Sequence, residues 1–121
     1  MSKRTLVIGA SENPERYSYK AIHSLIQHGH EVLAIGARSG STAGISWGNE
    51  LTEWNTEIDT VTLYVGPKNQ AVYYDNILKL QPKRVIFNPG TENPEWMETL
   101  QKNGIEVLPA CTLVLLSIGA Y

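Results

Sequence analysis

Between Thr5 and Gly36 the sequence reads strand, tight turn, helix, strand, and that order leaves few folds open. The β-branched run Thr5-Leu6-Val7-Ile8 ends at Gly9 and is followed by Ala10 and Ser11. Ala21, Ile22, Leu25 and Ile26 then share one helical face, which predicts a helix from about Ser18 to His28 with Gly29 at its end. Glu31 to Gly36 is the near-continuous apolar run of a strand covered on both faces. A βαβ unit of this length is parallel and, in nearly all cases, right-handed, so the sheet is built outward from it.

The alternation continues. Ala37 to Ser46, rich in glycine and small residues, reads as a loop, and Trp47, Leu51 and Trp54 predict a short irregular crossover helix. Thr60 to Gly66 is the third strand. Pro67 stands near the start of the next helix, whose buried face is Ala71, Tyr74, Ile77 and Leu78. Arg84 to Asn88 is the fourth strand, followed by the loop Pro89-Gly90-Thr91-Glu92. Asn93 as N-cap, Pro94 at the first position, Trp96, Met97 and Leu100 inward and Gly104 past the end give the best-signalled helix. Ile105 to Leu108 is the fifth strand, and a closing helix is expected from near Thr112. The expectation is an α/β fold: a doubly wound, parallel five-stranded sheet in a three-layer αβα arrangement, strand order 3-2-1-4-5, forming a single domain over residues 1–121.

Composition narrows the function classes. With 42% hydrophobic and 18% charged residues the chain is an ordinary globule, and its net charge of −2 argues against nucleic acid as the main partner. No apolar run is long enough to cross a bilayer, so no membrane role is expected. Met1-Ser2-Lys3-Arg4 leads directly into a strand, leaving no room for a signal peptide, and the expected location is cytoplasmic. The single cysteine, Cys111, excludes an internal disulfide and a cysteine-based zinc site.

The turn at Gly9-Ala10-Ser11 points to an anionic ligand. Backbone N–H groups at a strand-to-helix turn converge on one spot, the helix dipole favours negative charge there, and Gly9 admits close approach of a phosphate. In doubly wound folds the ligand lies outside the carboxyl ends of the strands, where the strand order reverses. Arg16, Arg38 and Lys68 follow such ends, whereas Lys3, Arg4, Lys83 and Arg84 lie at the amino ends. The dinucleotide fingerprint fails twice: the turn Gly9-Ala10-Ser11-Glu12-Asn13-Pro14 has one glycine, and Arg38 follows the second strand where an acid would hold ribose hydroxyls. An arginine there suits a ribose that itself carries a phosphate, as in NADP or coenzyme A.

Several stretches resemble a known family: Gly9-Ala10-Ser11-x-x-Pro14-x-Arg16-x-Ser18-Tyr19, Gly29-His30-Glu31-Val32, Ile58-Asp59-x-Val61, Pro67, the glycine loop after the fourth strand, and a late cysteine before an apolar segment. Together they resemble the small CoA-binding-domain proteins, which are Rossmann-like and similar to the nucleotide-binding domain of the succinyl-CoA synthetase alpha subunit. The resemblance implies that the turn after the first strand and the loop after the second cradle the phosphates of CoA, with roles for Gly9, Ala10, Ser11, Arg16 and Arg38. The chain departs from the family pattern at Gly36-Ala37, Gly66 and Asn88-Pro89.

The candidate ligand contacts are Gly9, Ala10, Ser11, Asn13, Arg16 and Ser18 around the first turn, and Ala37 and Arg38 after the second strand. Gly66 and Pro67 after the third strand and Asn88 and Gly90 after the fourth complete the set. Ser11 and Ser18 also suit helix capping, and Asn88, Gly90 and Thr91 suit a turn. Cys111 has no fixed histidine partner, and His23, His28 and His30 lack metal-ligand context. The leading expectation is a non-catalytic nucleotide-binding module for coenzyme A or acyl-CoA. The alternatives are an NADP-binding module and a CoA-binding subunit of an enzyme completed by a partner chain. A homodimer or an unknown protein partner is left open.

Overall fold

The computed structural model describes residues 2–51 and 57–121. Strand β1 (Thr5–Ile8), helix α1 (Tyr17–Gln27) and strand β2 (Val32–Ile35) form the expected βαβ unit, with β1 and β2 parallel. Helix α1 stops in the hydrogen-bond pattern typical of a glycine-terminated helix. Gly29, at φ +83°, donates to the Ile26 carbonyl, and His30 donates to that of Leu25.

The segment after β2 is a correction. Ala37 to Ser46 is largely an antiparallel hairpin, β3 (Gly40–Thr42) and β4 (Ile45–Trp47), turning on Ala43 at φ 53° and Gly44 at φ 82°. Two consecutive positive φ values make the tight turn whose twist matches its strands. Trp47 therefore ends a strand and starts no helix; Trp54 lies outside the described residues.

Strand β5 (Thr60–Leu63) is followed by two 3-10 turns, Pro67–Asn69 and Ala71–Tyr73, and helix α2 (Tyr74–Leu80). Ile77 is buried as expected, but Ala71, on a 3-10 turn, is exposed, and Gln70 takes the inward place beside it. Strand β6 (Arg84–Phe87), helix α3 (Pro94–Lys102), strand β7 (Glu106–Pro109) and helix α4 (Thr112–Ser117) complete the chain. At the start of α3 the Asn93 carboxamide oxygen accepts the Trp96 amide at 3.3 Å, the predicted cap.

The sheet is five-stranded and parallel, in the order β2-β1-β5-β6-β7. Counted by sheet strands this is 2-1-3-4-5, not 3-2-1-4-5. Burial explains the difference: all four residues of Thr60–Leu63 are fully buried, which a central strand requires, whereas β7 exposes Glu106 and Pro109 at an edge. The strand order reverses between β1 and β5, so a crevice opens above the carboxyl ends of those two strands.

Alternating residues fill two cores. Leu6, Ile8, Val61, Leu63, Val85 and Phe87 face Ile77, Trp96 and Leu100 of α2 and α3. Val7, Ala34 and Ile86 face Ile22 and Leu25 of α1 and Leu116 of α4. The result is a Rossmann-like, three-layer αβα sandwich with α1 and α4 on one face and α2 and α3 on the other.

At the amino end of the sheet, His30 Nδ1 accepts the Lys3 amide at 2.9 Å and its ring packs against Tyr121 at 4.9 Å. Burial, then the Lys3, His28 and N-terminal charges and that of Arg84, holds the His30 pKa below its ordinary value. The folded state therefore favours the neutral ring, and the unfolded chain takes up the proton first. The contribution is complete above the ordinary histidine pKa and is lost as pH falls through it toward the folded value. We expect the urea midpoint to drop between about pH 7 and about pH 5, and to drop less in a His30→Asn variant. Equal slopes for the two proteins would contradict this role.

Candidate functional site

Strand β1 ends against β5 at Gly9. Gly9 sits at φ +98°, and a Cβ there would stand 3.0 Å from the backbone carbonyl carbon and oxygen of Tyr64. The backbone just past β5 thus demands a glycine here in its own right. The Gly9 and Ala10 amides both donate to the Ile35 carbonyl, each at 2.9 Å. Their hydrogens are committed to joining β1 and β2, and the uncommitted donors begin at Ser11, whose amide has no acceptor among the described residues.

The rest of the loop is shaped by its own side chains. Ser11 Oγ accepts the Asn13 amide and Asn13 Oδ1 accepts that of Glu15, both at 3.0 Å. These local turns bring the chain to Arg16, the N-cap of α1, which makes no side-chain capping bond. Neither Ser11 nor Ser18 caps the helix. The amides of Tyr17, Ser18 and Tyr19 consequently lack acceptors among the described residues, leaving the first turn of an 11-residue helix able to donate.

These donors border a cleft of about 1230 Å³ that crosses the carboxyl ends of the strands from β2 to β6. Gly9, Ala10, Ser11, Asn13, Arg16, Ser18, Ala37 and Arg38 all line it. Gly66, Pro67, Asn88 and Gly90 do not; from the same loops Lys68, Asn69, Pro89 and Thr91 line it instead. Asn88 is only 3% exposed and its carboxamide is turned inward. Its Nδ2 donates to Thr62 Oγ1 at 2.7 Å and to the Leu63 carbonyl at 2.8 Å, and its Oδ1 accepts the Thr112 amide at 2.9 Å. Gly90 supplies a turn at φ +91°, and Gly66-Pro67 opens the 3-10 turn that carries Lys68 and Asn69 to the cleft.

Charge converges as the strand ends imply. Arg16, Arg38 and Lys68 line the cleft, and none has an ion-pair partner among the described residues. At the other end of the sheet, Arg4 pairs with Glu31 and Lys83 with Asp59. Glu12 and Glu15 also border the cleft, so its three cations outweigh two carboxylates in a chain whose net charge is −2.

Four contributors were not legible in the sequence. Glu12 Oε2 accepts the Ser41 amide at 3.0 Å, fastening the β3–β4 hairpin to the turn after β1. A Cβ at Gly40 would lie 2.8 Å from Glu12 Cγ, and one at Gly36 would lie 2.5 Å from the Ala10 carbonyl oxygen. Trp47 Nε1 donates to the Arg38 carbonyl at 3.1 Å, so the hairpin fixes the backbone that carries Arg38. Gln70, 1% exposed, donates to the Val65 and Thr91 carbonyls at 3.0 and 2.7 Å and accepts from Asn93 Nδ2 at 3.1 Å, bracing the opposite wall. Tyr64 lies beneath the cleft with its hydroxyl buried, and burial pushes its pKa up to about 12, so the hydroxyl stays neutral. No periodicity or motif marks such long-range polar contacts.

Among the described residues no group of three or more His, Cys, Asp or Glu side chains is placed to hold a metal ion. None of the described helices is long and apolar enough to cross a membrane.

Solved structures share this fold. A solved structure of an uncharacterised protein is 48% identical to this chain, covering 100% of it and 99% of its own length, with a TM-score of 0.94. A Thermus thermophilus protein, 22% identical, covers 99% of this chain and 91% of its own with a TM-score of 0.86. A hypothetical protein from Pyrococcus horikoshii OT3, 24% identical, covers 93% and 80% with a TM-score of 0.84. The last two show the shared fold. A search of curated proteins finds no match to the chain. The family model described as the CoA binding domain matches residues 3–117, and the chain belongs to that family.

Proposed function

We propose that this protein is a single-domain, non-catalytic module that holds coenzyme A or an acyl-CoA in the cleft above β1 and β5. The observation that carries the reading is the set of three cleft cations, Arg16, Arg38 and Lys68, without partners among the described residues, beside uncommitted amides at Ser11 and the start of α1. Such donors suit a pyrophosphate, which spreads its charge over several oxygens and accepts from backbone and guanidinium together. Ser11 and the first turn of α1 hold the pyrophosphate, and Arg16 closes over it. Gly9 and Ala10 shape the turn. Arg38, at the β2 end of the cleft, reads the phosphate on the ribose, and the thiol end runs toward Pro89 and Thr91. Membership of the CoA binding domain family favours coenzyme A over NADP as the owner of that phosphate.

Calorimetric titration with CoA, 3′-dephospho-CoA, NADP and NAD tests the reading. CoA is expected to bind in the micromolar range and more tightly than the other three. Failure of all four to bind overturns it; preference for NADP transfers the site to a dinucleotide.

A further inference from the structure

The two banks of the cleft carry apolar side chains that the fold leaves in water. Tyr17 is 66% exposed and Val72 75% exposed, and both line the cleft. Tyr17 begins α1, which packs on one face of the sheet. Val72 belongs to the segment after β5, which leads into α2 on the other face, so the two stand on opposite sides of the crevice. Tyr73 and Val65 extend the apolar surface along the Val72 bank.

The exposure of Val72 is built in. Gln70, bonded to the Val65 and Thr91 carbonyls, stands between the two 3-10 turns, and Ala71–Tyr73 lies outside α2 with Val72 turned to water. Leaving large apolar side chains in water is unfavourable unless something covers them. The cleft also has room. At about 1230 Å³ it exceeds the roughly 300–1,000 Å³ of an ordinary small-molecule site. It spans the sheet from β2 to β6, three strand spacings or about 14 Å. Cationic Arg38 follows β2 at one end, and the Val72 bank lies toward β6 at the other. A ligand matched to this surface is anionic at one end and apolar at the other.

We infer that the site is built for CoA thioesters of apolar, medium-length acyl chains, with the chain lying beyond the thiol along the Val65–Val72–Tyr73 bank. The inference rests on the proposed CoA reading and narrows it from the nucleotide to the acyl group. Free CoA and short or polar acyl groups leave that bank uncovered.

The test is calorimetric titration of the full chain with CoA, acetyl-CoA and octanoyl-CoA, for the natural sequence and for Val72→Ser and Val72→Asn. Val72 is exposed, so circular dichroism is expected to show folded variants. Octanoyl-CoA is expected to bind about tenfold more tightly than acetyl-CoA, and each substitution to shrink that ratio. Equal binding of all three compounds overturns the inference and leaves the CoA reading standing. A chain-length dependence unchanged in both variants overturns the placement of the acyl chain. No binding of any of the three overturns both readings.

Discussion

Replacing Gly9 with valine is expected to destabilise the protein by about 4 kcal/mol. Two costs add. A β-branched residue at φ +98° is strained, by roughly 1–3 kcal/mol. Its Cβ also meets the Tyr64 backbone at 3.0 Å, and Tyr64, directly after β5, is held in place by its amide's hydrogen bond to the Ile8 carbonyl at 2.8 Å. Overpacking of this kind costs about 1–3 kcal/mol more. Urea unfolding followed by tryptophan fluorescence reads the loss as a lower midpoint. A Gly9→Val protein as stable as its parent would mean that the turn relaxes freely and does not define the site.

The second large effect is on ligand discrimination. Arg38→Ala is expected to weaken CoA about 30-fold, the size of a lost charge-assisted hydrogen-bonded pair, while barely changing the affinity for 3′-dephospho-CoA. The pairing of variant with truncated ligand isolates the contact, since each change alone removes the same interaction and the two together should cost no more than either. Arg38 is exposed, and only its carbonyl is held, by Trp47, so truncation should leave the fold intact. If the variant loses CoA and 3′-dephospho-CoA equally, Arg38 acts on the pyrophosphate and the ribose phosphate has another reader.

What the sequence could and could not convey follows from range. Helix α3 was legible because its signals are local: Asn93 caps it, Pro94 starts it and Gly104, at φ +79°, ends it. The turn at Gly9 was found for the same reason, although the residue that crowds it is Tyr64, just past β5 and far along the chain. The hairpin was not legible, because Gly40 to Trp47 has the small, polar composition of a loop and its turn is Ala43-Gly44, without the asparagine or aspartate that usually marks such turns. Strand order was misjudged because neighbour choice depends on which strand is buried on both faces, and a run such as Thr60–Leu63 shows that only when its partners are known. In the site, the lining residues of the first two loops were placed by counting from strand ends. In the later loops Lys68 was reached by the same counting, but Gly66, Pro67, Asn88 and Gly90 stand one to three positions from residues that line the cleft, since the 3-10 turn at Pro67 and the inward carboxamide of Asn88 decide which neighbours reach it.

The central claim is that the ligand's phosphates rest on the amides after β1 and at the start of α1. An amide nitrogen–proton correlation spectrum recorded through a CoA titration tests it most directly. The account predicts the largest shifts at Ser11, at Tyr17 to Tyr19 and at Ala37 and Arg38, with little change at Lys3, His30 and Arg84 at the opposite end of the sheet. Shifts confined to that opposite end or to α4, or none at saturating CoA, would contradict it.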